Sequence, residues 1–360
     1  MFFYMPTKIY EEVECVKNHA KELCSLGKHA FIVTGKSSAF KNGSYDDVCA
    51  VLDAHGIEHT VFNEVEENPC IETVMNGRDK AVRCGADFVI GIGGGSPLDA
   101  AKAIALMAYH KEKDSSYMYE KGADSKALPI VEVPTTCGTG SESTAVSVIT
   151  NHAKKTKGSI AHKIFPALSL IDGKYLYNAP VSVICNTAID SLSHLYERLI
   201  NVTQTDYSKM CVASGLKIWA SVKNVLKEKR IPDEKEAFAL MRASTLGGMS
   251  IAHTGTGLPH ALSYDATYFA SVPHGKAVGY YMAGYLSESP KEKRDFVLEL
   301  SGFKNLDEFA LFYKDVCNAE RLPDDILESS VKSVVLKPEK LATAPFFVDE
   351  AVVRRIANYY

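Results

Sequence analysis

The chain has 360 residues, 46% apolar and 23% charged, which suits two packed domains of ordinary globular composition. A formal net charge of -4 and a pI near 6.3 exclude the clustered basic footprint of a nucleic-acid binder and the charge imbalance of a disordered chain. Nine cysteines without a C-x-x-C pair argue against a thiolate zinc site and read as reduced thiols in a cytoplasmic protein.

The opening segment, Met1-Phe2-Phe3-Tyr4-Met5-Pro6, is apolar but short. It lacks a basic stretch and a small-residue cleavage site, so no signal peptide is expected, and no apolar run reaches bilayer length. Strand patterns then follow at Ala30–Thr34, His59–Asn63, Phe88–Ile92, Ile130–Val133, Val146–Thr150 and Leu168–Ile171, with helical stretches such as Tyr45–His55 and Thr73–Cys84 between them. Such alternation predicts a parallel sheet covered by helices on both faces. From about Val181 the pattern is helix after helix: Cys185–Ile200, Tyr207–Lys227, Glu234–Thr254 and His274–Leu286. The boundary between the two regimes falls near Gly173–Pro180.

The strongest local signal is the strand Phe88–Ile92 running into Gly93-Gly94-Gly95-Ser96-Pro97-Leu98-Asp99. Ser96 suits a helix N-cap, Pro97 the first helical position, and Asp99 the third residue of a capping box. Leu98, Ala101, Ala105 and Leu106 form the buried stripe of that helix. Glycines let a ligand approach the backbone, and the N–H groups of a helix start bind diphosphate. A tight turn without a ligand is the alternative, and the run does not fit G-x-G-x-x-G because Ser96 holds the last position.

A second polar loop, Pro134-Thr135-Thr136-Cys137-Gly138-Thr139-Gly140-Ser141-Glu142, follows another strand and suits ribose or phosphate contacts, or a hydrogen-bonded turn. A third, Thr34-Gly35-Lys36-Ser37-Ser38, offers a lysine and two hydroxyls to a phosphate monoester. Farther on, Asp190 and His194 stand at i and i+4, one turn apart on a helix face. His260 and His274 fall at helix starts. One carboxylate and three imidazoles suit Fe(II), Zn(II) or a similar divalent metal. By spacing alone, D-x-x-x-H reads more readily as a surface pair or a capped helix; the nucleotide loops turn the balance toward a metal.

With these residues in hand, the chain resembles the iron-containing (group III) alcohol dehydrogenase family over nearly its whole length. Tyr4-Met5-Pro6-Thr7-Lys8-Ile9 resembles the family's opening strand. Gly93-Gly94-Gly95-Ser96-x-x-Asp99-x-x-Lys102 matches its diphosphate signature, and Pro134–Glu142 its second cofactor loop. Asp190-x-x-x-His194, Gly257-Leu258-x-His260-Ala261 and His274-Gly275 match its metal motifs in order. The resemblance implies a Rossmann-like, dinucleotide-binding α/β domain over 1–178 and an all-helical, dehydroquinate synthase-like metal-binding catalytic domain over 179–360. It implies Asp190, His194, His260 and His274 as metal ligands. Gly94, Gly95, Ser96 and Asp99 belong to the diphosphate site, and Thr135, Thr136 and Thr139 to the cofactor cleft. Lys157 and Leu176 fall at the ribose and nicotinamide half, and Asn68 near the adenosine side.

Relatives that prefer NAD carry an acidic residue after the first strand, where it would repel a 2′-phosphate. Here that position is Gly35, followed by Lys36 and Ser37, so NADP is expected, with NAD as the alternative. Two departures stand out. Many relatives have a histidine where this chain has Tyr264, which leaves Tyr264 and His253 as candidates for the proton path. Cys137 occupies a loop position where a smaller or hydroxyl residue is usual, and reads as a buried, inert thiol.

The implied activity is hydride transfer between NADP(H) and a small primary alcohol or aldehyde at an Fe(II) or Zn(II) centre, in a cytoplasmic homodimer without nucleic-acid or membrane partners. Ile251, Phe269 and Tyr264 suggest a moderately apolar pocket wall. A sugar-phosphate cyclase of the dehydroquinate synthase type shares the plan but needs basic residues around an acidic substrate, and Asp190–Leu195 and Leu258–Pro273 contain no lysine or arginine. A nucleotide-binding protein without turnover would not need all four ligands. A two-histidine-one-carboxylate oxygenase would explain neither the glycine run nor the fourth ligand.

Overall fold

The structure is a computed structural model that describes residues 3–360; Met1 and Phe2 of the opening apolar segment lie outside the described residues. Two compact units emerge, one comprising Tyr4–Thr136 and Gly140–Ala179, the other Phe3, Cys137–Thr139 and Pro180–Tyr360.

In the first unit, β1 (Lys8–Glu11), β2 (His29–Gly35), β3 (Glu58–Val65), β4 (Phe88–Gly93) and β5 (Ile130–Pro134) join a later strand, Leu168–Ile171, in one sheet. With the intervening hairpin β6 (Val148–Asn151) and β7 (Thr156–Ser159), that last strand is β8, and the sheet order is β1-β8-β5-β4-β2-β3. Every pairing within this sheet is parallel. Side chains alternate as a strand requires. Phe31, Val33 and Val89 enter one buried cluster, while Ala30, Ile32, Ile90 and Ile92 enter another on the opposite face. Burial on both faces explains why the strands read as continuous apolar runs.

Helices α1 (Ser44–Ala54), α2 (Ile71–Cys84) and α3 (Gly95–Tyr109) connect these strands. The chain leaves β2 toward β3 at one side and leaves β4 toward β5 at the other. The carboxyl ends of β2 and β4 therefore flank a topological switch point, the place where open α/β sheets bind ligands. Gly35–Ser37 and the glycine run stand on either side of it.

Three local expectations change. The segment expected as a strand at Val146–Thr150 stays out of the main sheet and forms the antiparallel β6–β7 hairpin; its partner, Thr156-Lys157-Gly158-Ser159, is too polar to announce a strand. The helix expected over Tyr207–Lys227 breaks at Val222 into Asp206–Ser221 and Lys223–Lys227. The helix after the glycines starts at Gly95 with Gly94 as N-cap, earlier than the Ser96 cap expected. Gly93 has φ +147°, a conformation open only to glycine, and this turns the chain into the helix before Ser96. Asp99 consequently sits in the second turn, and its carboxylate accepts from Ser141 Oγ (2.6 Å) and the Val148 N–H (2.8 Å) rather than closing a capping box.

The second unit contains α4 (Val181–Ile200), α5 (Asp206–Ser221), α6 (Glu234–Ile251), α7 (Leu258–Ala270) and α8 (His274–Glu288), followed by further helices to Ala357. Trp219 on α5 is fully buried, and its Nε1 donates to the Ala188 carbonyl on α4 at 2.8 Å, locking the two helices together. No described helix is long and apolar enough to cross a membrane.

Behind the glycine run lies a buried charge network. Lys102 on α3 is wholly enclosed, and its ammonium donates to the Ser141 carbonyl (2.7 Å), Ser141 Oγ (2.7 Å) and the Val146 carbonyl (3.1 Å). Together with Asp99 it ties residues 141–148 to α3. Glu132 on β5 stands 3.6 Å from Lys102, yet neither carboxyl oxygen has a hydrogen-bond partner. Burial pushes its pKa from the ordinary 4.5 to about 8, against the pull of Lys102. A carboxyl raised in the fold binds its proton where the unfolded chain has lost it, so its contribution to stability falls as pH rises from 4.5 to about 8. Glu132→Gln removes this titration. Its thermal midpoint should match the parent's at acid pH and exceed it increasingly toward pH 8; parallel curves across that range would mean that Glu132 is ionised in the fold.

Candidate functional site

Helix α4 carries Asp190 and His194 on one face, one turn apart. His260 lies in the first turn of α7, and His274 opens α8. The three helices bring these side chains to a single carboxylate oxygen. Asp190 Oδ1 is 3.4 Å from His260 Nε2, 3.8 Å from His274 Nε2 and 4.0 Å from His194 Nε2. The His194 and His260 rings stack with centroids 4.5 Å apart and planes 12° from parallel. Asp190, His194 and His260 are nearly sealed from solvent, while the His274 side chain is 27% exposed.

The donor set fits a divalent metal. Asp190 Oδ1 and His260 Nε2 are buried and lack hydrogen-bond partners, a costly arrangement unless something else fills the space between them. Ligands bound at about 2.0–2.2 Å stand roughly 3–4 Å apart, the range found here. The electrostatics agree. Burial opposes ionisation of Asp190, but the surrounding imidazoles hold its carboxyl far below the usual range. Burial pushes the His194 imidazole down to about 4, so it is neutral and able to ligate at neutral pH. Burial acts the same way on His260, but the Glu197 and Asp190 carboxylates outweigh it and raise its pKa to about 9.

Asp190, His260 and His274 bring possible ligand atoms within 4.8 Å of one another, with His194 outside that group, and a second grouping, Cys70, Glu72 and His152, does the same. Its glutamate and histidine are exposed, and burial raises the Cys70 thiol rather than favouring a thiolate. The chemistry therefore favours the aspartate–histidine cluster.

Gly275 allows α8 to approach α4 so closely. A Cβ there would lie 1.9 Å from the Asn186 carbonyl oxygen and 3.0 Å from Asp190 Cβ. Tyr264 on α7 lies beside the cluster, its ring centroid 6.5 Å from that of His274. His253 packs edge-on to Phe3 at 5.3 Å. Ile251 is buried, whereas Phe269 is half exposed. Cys137 is fully buried, its thiol pushed up to about 12 by burial and 3.3 Å from Thr187 Oγ1, which accounts for an inert cysteine.

In the α/β unit, Gly35, Lys36, Ser37, Gly94 and Ser96 lie at or just after the carboxyl ends of β2 and β4. Gly94 faces the Thr136 side chain, and the Thr135 N–H donates to the Gly93 carbonyl at 2.9 Å. Ser96 Oγ accepts from the Asn68 N–H at 3.0 Å. Asn68 in turn accepts from Lys157 Nζ on its Oδ1 (3.1 Å) and from Thr150 Oγ1 on its carbonyl (2.8 Å). Gly35 lies near Val65 and Pro97, and Lys36 and Ser37 are exposed at the carboxyl end of β2. Leu176 is buried in a short turn, and Thr139 belongs to the helical unit. Asp99 and Lys102 point into the buried network instead of the loop surface.

Glu197, outside the sequence motifs, follows His194 by three residues and Asp190 by seven on the same face of α4. Its carboxylate lies 3.0 Å from His260 Nδ1. The extended spacing D-x-x-x-H-x-x-E would have flagged it. Gly275 was seen only as part of a motif; its packing role needed the helix crossing. Replacing Gly275 with alanine should force α8 away from α4, lower stability by about 1–3 kcal/mol and reduce bound metal in a chelator-competition assay. Unchanged metal content would show that the crossing is not what positions His274.

Comparison with known proteins agrees with this geometry. Residues 6–173 match the family model for iron-containing alcohol dehydrogenase, and residues 184–298 that for its C-terminal region. Alcohol dehydrogenase 4 of Schizosaccharomyces pombe is 30% identical over 76% of this chain and 65% of its own length. Aldehyde-alcohol dehydrogenase 2 of Entamoeba histolytica is 30% identical over 77% of this chain but 33% of its own. The chain thus spans less than two thirds of these relatives. A crystal structure of an iron-containing alcohol dehydrogenase from Thermotoga maritima is 33% identical, with a TM-score of 0.91 over 99% of this chain and 98% of its own. These matches, together with the sheet order and the helical unit, establish that the chain belongs to the iron-containing alcohol dehydrogenase family.

Proposed function

We propose that the protein is a metal-dependent alcohol dehydrogenase and aldehyde reductase that uses NADP(H) with a small primary alcohol or aldehyde. The observation that carries this reading is the cluster of buried donors without hydrogen-bond partners on Asp190 and His260, with His194 and His274 beside them. Asp190, His194, His260 and His274 hold the metal, Fe(II) in this reading with Zn(II) as the alternative. The metal supplies Lewis acidity toward the alcohol or carbonyl oxygen, and the nicotinamide gives or accepts the hydride.

Residues 1–178 bind the cofactor in this reading, and residues 179–360 bind the metal and carry the catalytic groups. Backbone N–H groups at Gly94, Gly95 and Ser96 bind the diphosphate, aided by the helix dipole of α3. Asp99 supports them from behind through Ser141. Asn68 and Lys157, already hydrogen-bonded to each other, face the ribose side. Thr135, Thr136, Thr139 and Leu176 line the rest. Gly35, Lys36 and Ser37 accept a 2′-phosphate, because no carboxylate follows β2 to repel it. Tyr264 exchanges the proton with solvent, and His253 is the second candidate. The active form is a cytoplasmic homodimer, with β1 at the edge of the sheet available for pairing.

The test is anaerobic metal stripping, re-addition of Fe(II) or Zn(II), and nicotinamide oxidation with short aldehydes. Metal-dependent NADPH oxidation lost in His260→Ala supports the reading; no turnover with either cofactor and any aldehyde removes it. Lys36→Ala should raise KM for NADPH by about 10–100-fold, the loss of one charge-assisted contact, and leave NADH unaffected. Equal effects on both cofactors, or a parent that prefers NADH, would reverse the cofactor assignment.

A further inference from the structure

We infer that Glu197 is a positioning residue that sets the tautomer and aim of His260 while replacing the missing side-chain cap of helix α7. The inference rests on the reading of Asp190, His194, His260 and His274 as metal ligands. Helix α7 begins at Gly257, an N-cap without a side chain, so its first N–H groups need acceptors from elsewhere. Glu197, buried on the neighbouring α4, supplies both: one oxygen accepts from the Gly257 N–H at 2.6 Å, the other from the His260 N–H at 3.0 Å.

The oxygen that binds the His260 backbone also lies 3.0 Å from that residue's Nδ1. A carboxylate can only accept, so the ring proton belongs on Nδ1. With a cation bound, Nε2 would turn its lone pair to the space beside Asp190 Oδ1, 3.4 Å away. A histidine ligand commonly gives its second ring N–H to a carboxylate, which fixes the ring and strengthens the ligand. Here one carboxylate bonds the backbone of His260 and stands 3.0 Å from its ring nitrogen. It therefore fixes where the ligand starts and where its nitrogen points.

Cobalt(II) titration of the metal-stripped protein, followed by visible absorption, separates these roles. The Glu197→Gln amide has one acceptor oxygen in place of two and no charge, so it cannot serve the Gly257 N–H together with the His260 backbone and ring. The variant should fold, with its metal-free circular dichroism retained, yet bind cobalt about 10–100-fold more weakly and with an altered ligand-field spectrum. Equal cobalt affinity and spectrum in parent and variant would overturn the positioning role, whatever happened to thermal stability. A parent that binds no cobalt would instead remove the metal reading itself. If Glu197→Gln does not fold, 1H–15N NMR of the zinc-loaded parent decides: a His260 Nδ1–H shifted strongly downfield, as a proton shared with a carboxylate is, supports the inference, and an Nδ1–H at the shift of an unbonded imidazole overturns it.

Discussion

A carboxylate buried among imidazoles is the constraint around which the helical unit is arranged. Asp190 has little solvent contact, and its Oδ1 has no hydrogen-bond partner. An ion in that setting must be compensated by charge at close range. Three helices converge to provide it. The crossing of α8 over α4 is tight enough to exclude a Cβ at Gly275. The start of α7 is held by a glutamate from α4 because its own cap position is a glycine. Without a metal, His260 stands between two carboxylates and retains a proton up to about pH 9. A divalent cation would replace that proton and satisfy the same field.

The α/β unit buries charge for a different purpose. Lys102 and Asp99 lie on the helix that follows the glycine run, yet their side chains grip residues 141–148. The loop Pro134–Glu142 is thereby anchored by its far end to the helix whose N-terminus faces the switch point. A signature aspartate and lysine thus act on the loop's backbone, and the backbone is left to meet a ligand. This division suits a diphosphate site, where directional N–H groups at a helix start count for more than a buried ammonium.

Most of the architecture was legible because parallel strands covered on both faces are continuous apolar runs, and amphipathic helices have a distinct period. The neighbourhood of Asp190, His194, His260 and His274 was legible through their motifs. Glu197 was missed because one more acidic residue on a helix usually faces solvent; only the position of α7 against α4 shows that it does not. The β6–β7 hairpin was hidden because Thr156–Ser159 has no apolar alternation, and its pairing depends on contacts with the Asn68 turn. The helix start at Gly95 was misjudged because a serine followed by proline is a strong cap signal, while the positive φ of Gly93 depends on the path of the whole turn.

By itself, the sequence determined the two structural regimes, the glycine turn after β4, the absence of an acidic residue after β2 and the motifs that hold Asp190, His194, His260 and His274. These follow from local composition and period, which short-range sterics and hydrogen bonding control. The tertiary structure alone decided that the imidazoles gather near one oxygen of Asp190, that Glu197 lies against both a helix end and the His260 ring, and that Lys102 turns inward. Those outcomes depend on helix crossings between residues far apart in the chain, and no local pattern encodes a distance of three or four ångströms between them.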